Sequence, residues 1–444
     1  MKRKHVLVDA YNLGLKHGTG IASYARNLIS TLKSIDYRVS CLYDRKTARF
    51  FHKDIFNEIY FFDPKPPFVT EIDKVLHVVW QTIRSMGLLA NPAISLRPTK
   101  INIGNHVVVD EVLETLPDAD RFYSYHNLYH LSFIYYYITG MFVKIHIPDI
   151  DIAHWTCPIP IKAVGVKNIY TIHDIVPIRL PYTVIEKKEL FHRLIRSLVR
   201  RSDRLATVSE FSRKDIIKTY PQAKDKLVNT YECVSFSEKV FSLNDDEIAR
   251  IVKNNFNVNY KKYYLAVGAF EPKKNFGRLI DAYLAGGIED PLVLVGPDGW
   301  RMDRLMGSYD ESYHRRIRIE DNRIEIDRRV VRIGYVRFSM LVNLMRGAKV
   351  LCFPSLYEGF GLPVAEAISL GTPVLTSRTS SLPEVGGDAA VYVDPYDVYD
   401  IKEKLLWCES HPEELAKLAE AGKRQARRFS VERYAQAVEA LYAF

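Results

Sequence analysis

Glu358 and Glu366 bracket a segment whose residue types converge on one chemistry, Glu358-Gly-Phe-Gly-Leu-Pro-Val-Ala-Glu366. Gly359 and Gly361 would keep the residues after Glu358 in an open loop. Pro363 suits the first helical position and Gly371 the cap that ends the helix. Glu358 is therefore expected in a strand-to-helix loop and Glu366 in the first helical turn. The unpaired N–H groups at a helix start carry a partial positive charge of roughly half a unit, and a glycine-lined loop backed by them is built to hold a phosphate. The two carboxylates would repel that phosphate and are better suited to accepting hydrogen bonds from hydroxyl groups. Polyol and phosphate in one site point to a sugar nucleotide. The plainer alternative is a solvated helix start, where glutamate is favoured in any case.

The elements that must position these residues alternate between strands and amphipathic helices, twice over, which argues for parallel sheets wrapped by helices. The first unit is Val6-Leu-Val-Asp-Ala10, then a loop ending in Gly18-Thr-Gly20, then a helix with Ile21, Ala25, Leu28, Ile29 and Leu32 on one stripe. Further strands are expected at Asn168–Ile172 and Leu205–Val208. Periodicity fades between Ser235 and Tyr260, which places the interdomain connection there. A second unit begins at Tyr263–Val267 and continues through Leu292–Val295, Val331–Ile333 and Val350–Phe353. The expected division is 1–245, 246–428 and a helical ending at 429–444, with family-specific elaboration between Arg45 and Phe142.

A chain of 444 residues is too long for one ordinary core, and two domains follow. Charged residues at 26% leave little room for extensive disorder, and the net charge of +9 favours an anionic partner. There is neither zinc-finger spacing nor an aromatic-basic RNA motif, so nucleic acid is not expected. The five cysteines are scattered without a Cys-x-x-Cys pair, and Met1-Lys-Arg-Lys-His runs straight into a strand. Together these suggest a reducing cytoplasm.

The Glu358–Glu366 segment resembles the retaining family-4 glycosyltransferases of the GT-B fold, in which Glu, seven residues, Glu is the signature. That resemblance implies two Rossmann-like α/β domains facing across a cleft, with the last helix crossing back to the first domain. It implies that Glu358 faces the donor sugar and Glu366 holds the ribose hydroxyls, with Gly359, Phe360, Gly361 and Leu362 lining the donor loop. Val267-Gly-Ala-Phe-Glu-Pro-Lys-Lys-Asn275 matches the family's Glu-Pro, basic pair and Asn, so Lys274 should contact the diphosphate beside Lys273. Lys273 stands where arginine is common, and Ala269-Phe270 departs from relatives with a basic or hydroxyl residue after the glycine. His173-Asp174 resembles the pair in bacterial polysaccharide members, where the His approaches the donor sugar. Gly18 and Gly20 fall in the glycine loop that approaches the diphosphate across the cleft.

The resemblance implies transfer, with retention, of a sugar from a nucleotide diphosphate to a glycan or lipid-linked glycan. It is nearest to surface-polysaccharide and lipopolysaccharide mannosyltransferases, which makes GDP-mannose the first donor, ahead of UDP- or dTDP-sugars. A GT-B epimerase, a phosphorylase and a non-catalytic sugar-nucleotide-binding subunit are the alternatives. Asp118-Ala-Asp120 and Asp149-Ile-Asp151 match the metal-binding Asp-x-Asp of the other large glycosyltransferase fold. Lysine and the helix start supply the required charge here, so no metal and no cofactor are expected. Ser209 reads as a helix cap, and His126, His130 and His154 as structural. Phe122–Val143 lacks charge but carries six tyrosines, and reads either as cleft- or lipid-facing helices or as ordinary core. Glu186–Arg201 forms a basic helix that either lies on the inner face of an anionic plasma membrane or packs on its own sheet.

Overall fold

The computed structural model describes residues 3–14, 20–48, 53–63, 94–104, 116–185, 187–299 and 323–444, a few isolated positions between them, and the strand 315–320. The first sheet has eight strands. Their spatial order is Leu227–Asn229, Arg204–Thr207, Lys167–Thr171, Ile152–Trp155, His5–Asp9, Arg38–Tyr43, Arg121–Ser124 and Thr99–Ile101. All neighbours are parallel except the last pair, in which Thr99–Ile101 runs antiparallel to Arg121–Ser124. The second sheet has six strands, all parallel, in the order Val330–Ile333, Leu292–Val295, Tyr264–Val267, Val350–Phe353, Val374–Ser377 and Ala390–Val393. Numbered along the chain, that is the doubly wound order in which ligands settle outside the strand carboxyl ends where the winding reverses. The reversal falls between Tyr264–Val267 and Val350–Phe353. In the first sheet it falls between His5–Asp9 and Ile152–Trp155.

Strands buried on both faces read as continuous apolar runs, which is why Leu292–Val295 and Val350–Phe353 are wholly buried and were legible as such. The helix Gly20–Ser34 buries Ala25, Leu28, Ile29 and Leu32, while Ile21 is only half-buried. The stretch between Ser235 and Tyr260 is more ordered than its polarity suggests. It contains the helix Asp245–Phe256, opened by a capping box between Asn244 and Glu247 and buried only at Ile248 and Val252. A hairpin, Arg315–Glu320 with Arg323–Arg328, is inserted before Val330–Ile333 and has no counterpart in the sequence-based expectation.

Most of the uncharged stretch belongs to the core. It forms the helix Leu128–Thr139, with Tyr129, Tyr135 and Tyr136 buried and Tyr137 exposed. Among the described residues no helix is long and apolar enough to cross a membrane. The basic helix spans Lys188–Arg201 and buries Leu194, Ile195, Leu198 and Val199, with Leu190 and Phe191 partly covered. The final helix, Val431–Tyr442, packs on the first domain: the Tyr442 hydroxyl lies 2.7 Å from His154 Nδ1, and the Tyr434 ring meets Tyr24. His154 is thereby structural, its other nitrogen being 2.8 Å from Thr171 Oγ1. Burial, with the charge of His173 beside it, lowers its pKa to about 3.

Candidate active site

The site is assembled from the loops that leave the two strands flanking the reversal in the second sheet. After Val267 the chain passes through Gly268 at φ +146° and a short turn at Pro272–Lys274. A side chain at Gly268 would press on Lys274, meeting its Cε at 3.2 Å, so the glycine lets the lysine stem lie across the backbone. Asn275 follows in the left-handed region and is buried, donating from Nδ2 to the carbonyls of Pro354 at 3.0 Å and Pro395 at 2.6 Å. It ties the lysine loop to the glutamate loop. The Leu356 N–H closes the pair by donating to the Lys273 carbonyl at 2.9 Å.

Both lysines converge on one carboxylate. Lys274 Nζ is 2.7 Å from Glu358 Oε1, and Lys273 Nζ is 3.6 Å from Oε2. Burial works against the Glu358 charge, yet Lys273 and Lys274 together hold its pKa down at about 2. Burial and the neighbouring Lys273 lower the Lys274 pKa in spite of Glu358, whereas Glu358 and Asp174 outweigh burial at Lys273 and raise it.

The glutamate loop is pinned by its carbonyls. Ser381 Oγ donates to the carbonyls of Glu358 at 2.9 Å and Phe360 at 2.7 Å, and Ser209 Oγ donates to that of Gly359 at 2.6 Å. The N–H groups of Gly359, Phe360, Gly361 and Leu362 make no hydrogen bond to a described residue. Gly361 sits at φ +105°, and a side chain at Gly359 would lie 2.6 Å from the His173 carbonyl, so both glycines are required by the backbone path.

The helix begins at Leu362, one residue earlier than expected. Pro363 is accordingly its second residue, and Glu366 lies past the first turn. Glu366 is 8% exposed and has no hydrogen-bond partner among the described residues. Burial, reinforced by the charge of Glu232, pushes its pKa up to about 8.

Across the cleft, His173 leaves the strand Lys167–Thr171. Its Nε2 is 2.9 Å from the Thr156 carbonyl and its Nδ1 is 3.3 Å from Glu232 Oε1. Asp174 accepts the Val176 N–H at 2.9 Å, the local turn typical of such an aspartate. Gly20 opens the helix Gly20–Ser34 in open space, and Gly18 lies outside the described residues. Asp120 pairs with Lys33 at 2.6 Å and Asp151 accepts the His5 N–H at 2.8 Å, so both are engaged in holding strands together. Among the described residues no three or more His, Cys, Asp or Glu cluster as metal ligands. Ser209 does cap the helix Glu210–Thr219, accepting the Ser212 N–H at 3.0 Å, and its hydroxyl also bridges the domains. Glu232 and Thr156 carried no motif. Only the fold brings them to His173.

Residues 247–425 match the family of glycosyl transferases group 1. This part of the chain is similar to group 1 glycosyl transferase domains. The chain is 31% identical over 245 residues to the O-antigen chain mannosyltransferase B of Escherichia coli, covering 54% of this chain and 60% of that protein. It is 29% identical over 247 residues to the O-antigen chain mannosyltransferase RfbU of Salmonella typhimurium, covering 56% and 62%. The matches thus span about three-fifths of the length of those relatives. In structure it is similar to the Anabaena protein HepE in complex with UDP-glucose, with a TM-score of 0.61 and 14% identity over 99% of this chain and all of the other. The fold is GT-B.

Proposed function

We propose that this chain is a retaining glycosyltransferase that moves mannose from GDP-mannose to a glycan or lipid-linked glycan acceptor in bacterial surface-polysaccharide synthesis. The observation that carries the reading is the pairing of Lys273 and Lys274 on Glu358 beside loop N–H groups and a Glu366 carboxylate that have no partner among the described residues. Mannose, rather than another sugar, is favoured by the mannosyltransferase relatives.

In this reading the loop N–H groups and Lys274 take the diphosphate, and Glu366 accepts hydrogen bonds from the ribose hydroxyls. Glu358 orders both lysines and faces the sugar. The anomeric carbon–oxygen bond to the diphosphate breaks, and the acceptor oxygen bonds to the same face. The acceptor proton passes to the departing phosphate oxygen. Negative charge grows on that leaving group, so a lysine that tightens its contact as the bond breaks lowers the barrier. The first domain presents the acceptor. Its exposed Tyr182 and Ile185, next to the basic helix Lys188–Arg201, suit an anionic membrane face.

A panel of nucleoside diphosphates and their sugars tests this, read by thermal shift and by donor hydrolysis. Ligand at 100 times its dissociation constant stabilises by about 2.7 kcal/mol, enough to read. GDP should raise the melting temperature, and GDP-mannose should be consumed. A response to UDP alone would move the donor assignment, and silence across the panel would overturn the transferase reading.

A further inference from the structure

His173 is expected from the resemblance to approach the sugar with its ring, but both of its nitrogens are already committed. Nε2 faces the Thr156 carbonyl at 2.9 Å, and a carbonyl can only accept. Nδ1 faces a Glu232 carboxylate oxygen at 3.3 Å. The ring therefore fits best with a proton on each nitrogen. Thr156 is itself anchored, since Asp9 accepts both its N–H and, at 3.1 Å, its hydroxyl. The ring edge meets Tyr24 at 4.9 Å, and the His173 carbonyl abuts Gly359 in the glutamate loop.

Glu232 is buried at 5% exposure and follows Tyr231, which turns the chain at φ 60°. It ends the first domain's last strand region and is the carboxylate whose charge reaches Glu366 in the second domain. Burial opposes charge on the ring, and Glu232, the Thr156 carbonyl and Asp174 outweigh it and raise the His173 pKa.

We propose that Glu232 is a positioning residue for the transfer reaction: it holds the His173 ring doubly protonated, in the residue whose carbonyl meets the Glu358–Gly361 loop, and commits that ring to act as a fixed positive charge and not as a general base. The backbone carbonyl of the same residue meets that loop at Gly359, and a ring held this way needs no proton transfer to act. The proposal rests on the transferase reading for its catalytic consequence, but the state of the ring does not depend on it.

The test is the histidine side-chain NMR titration of the full-length protein, wild type against Glu232→Gln and Glu232→Asp, with His173→Gln to assign the signal. The wild-type ring should carry both protons at pH 7. Loss of the carboxylate should lower its midpoint by ~1–3 units, and Glu232→Asp should restore part of that. With saturating donor, kcat should fall as pH rises through the His173 midpoint, and Glu232→Gln should move that limb to lower pH and reduce kcat at pH 8 by about tenfold, with KM for the donor little changed. A neutral single tautomer in the wild type, or a midpoint unmoved by Glu232→Gln, would overturn the proposal. So would a kcat that rises through the same midpoint, the mark of a general base. If no sugar nucleotide is turned over at all, the transferase reading fails while the titration still decides the pairing.

Discussion

The two sheets reverse their winding in the same way, yet the carboxylates at the two reversals live in opposite circumstances. Asp9 ends the first strand of the first sheet, and its oxygens accept from the Thr156 N–H, the Thr156 hydroxyl and the Tyr11 N–H. Glu366, beyond the fourth strand of the second sheet, is 8% exposed against 1% for Asp9 and accepts from no described residue. Both have raised pKa values because burial penalises their charge: Asp9 rises to about 6 and Glu366 to about 8. Among the described residues the first group is satisfied internally and the second has no partner. A buried carboxylate that the fold does not satisfy costs stability, and a ligand with hydroxyl donors can supply what is missing. By this comparison the first reversal is scaffold, and the second is the one we propose as the binding site.

The largest effect should come from Lys274, the lysine we propose to face the breaking bond. Lys274→Ala should lower kcat by ~10²–10³, because the lost charge matters most as the leaving group departs. Nucleoside diphosphate binding should weaken as well, measured by calorimetry. Glu358→Ala should also depress kcat, because both lysines lose the carboxylate that orders them. Retention of full turnover by Lys274→Ala would remove the second reversal from the chemistry.

Next in size is the effect of breaking the satisfied carboxylate. Asp9→Ala strands the Thr156 and Tyr11 donors in a buried place and should cost about 1–3 kcal/mol in denaturant unfolding. Asp9 would not be scaffold if this variant were as stable as the wild type.

How much of this contrast could be read in advance follows from where each signal is local. Val350–Phe353 is apolar throughout because both its faces are covered, and the glycines, Pro363 and Glu366 follow within one short span, so strand, loop, helix and carboxylates were all legible there. The helix start was misplaced by one residue because proline fits the first and second helical positions almost equally well. Asp245–Phe256 was lost from view because only Ile248 and Val252 are buried, too few for an apolar stripe, although its Asn244–Glu247 capping box stood in the sequence. Glu232 was not legible at all. Its meaning comes from His173, 59 residues away, and from Glu366 in the other domain. Long-range carboxylate pairings leave no periodic trace.

Glu366→Gln should act oppositely to the Asp9 substitution. A carboxylate whose folded pKa is raised from 4.5 to about 8 costs stability progressively as pH rises through that window, and the cost is complete above about 8. Glutamine mimics the protonated form, so at pH 9 the variant should be more stable than the wild type, by about 1 kcal/mol or more. Nucleotide binding should show the other side of the exchange. The ionised form is the better acceptor for ribose hydroxyls, so wild-type affinity should climb as pH rises toward and past 8, with proton release on binding. In Glu366→Gln the affinity should be lower and this pH dependence flattened. A variant less stable at pH 9, with the wild-type pH slope intact, would show that Glu366 is satisfied after all.

The smallest effect expected is that of removing divalent cations. Two ammonium groups converge on one carboxylate at the second reversal, and the loop N–H groups beside them have no described partner. In the proposed reading an arriving diphosphate would meet fixed positive charge from the chain itself, whereas metal-dependent sites must bring that charge in with the ion. One carboxylate of each Asp-x-Asp pair is already engaged, Asp120 with Lys33 and Asp151 with the His5 N–H, and Asp149 lies 4.0 Å from Arg121. Transfer measured after exhaustive chelation should therefore change by less than about twofold, far below the ~10²–10³ expected for removing one charge from the diphosphate. A collapse of activity restored by magnesium or manganese would mean that Lys273 and Lys274 do not suffice, and the search for the missing charge would return to the first domain.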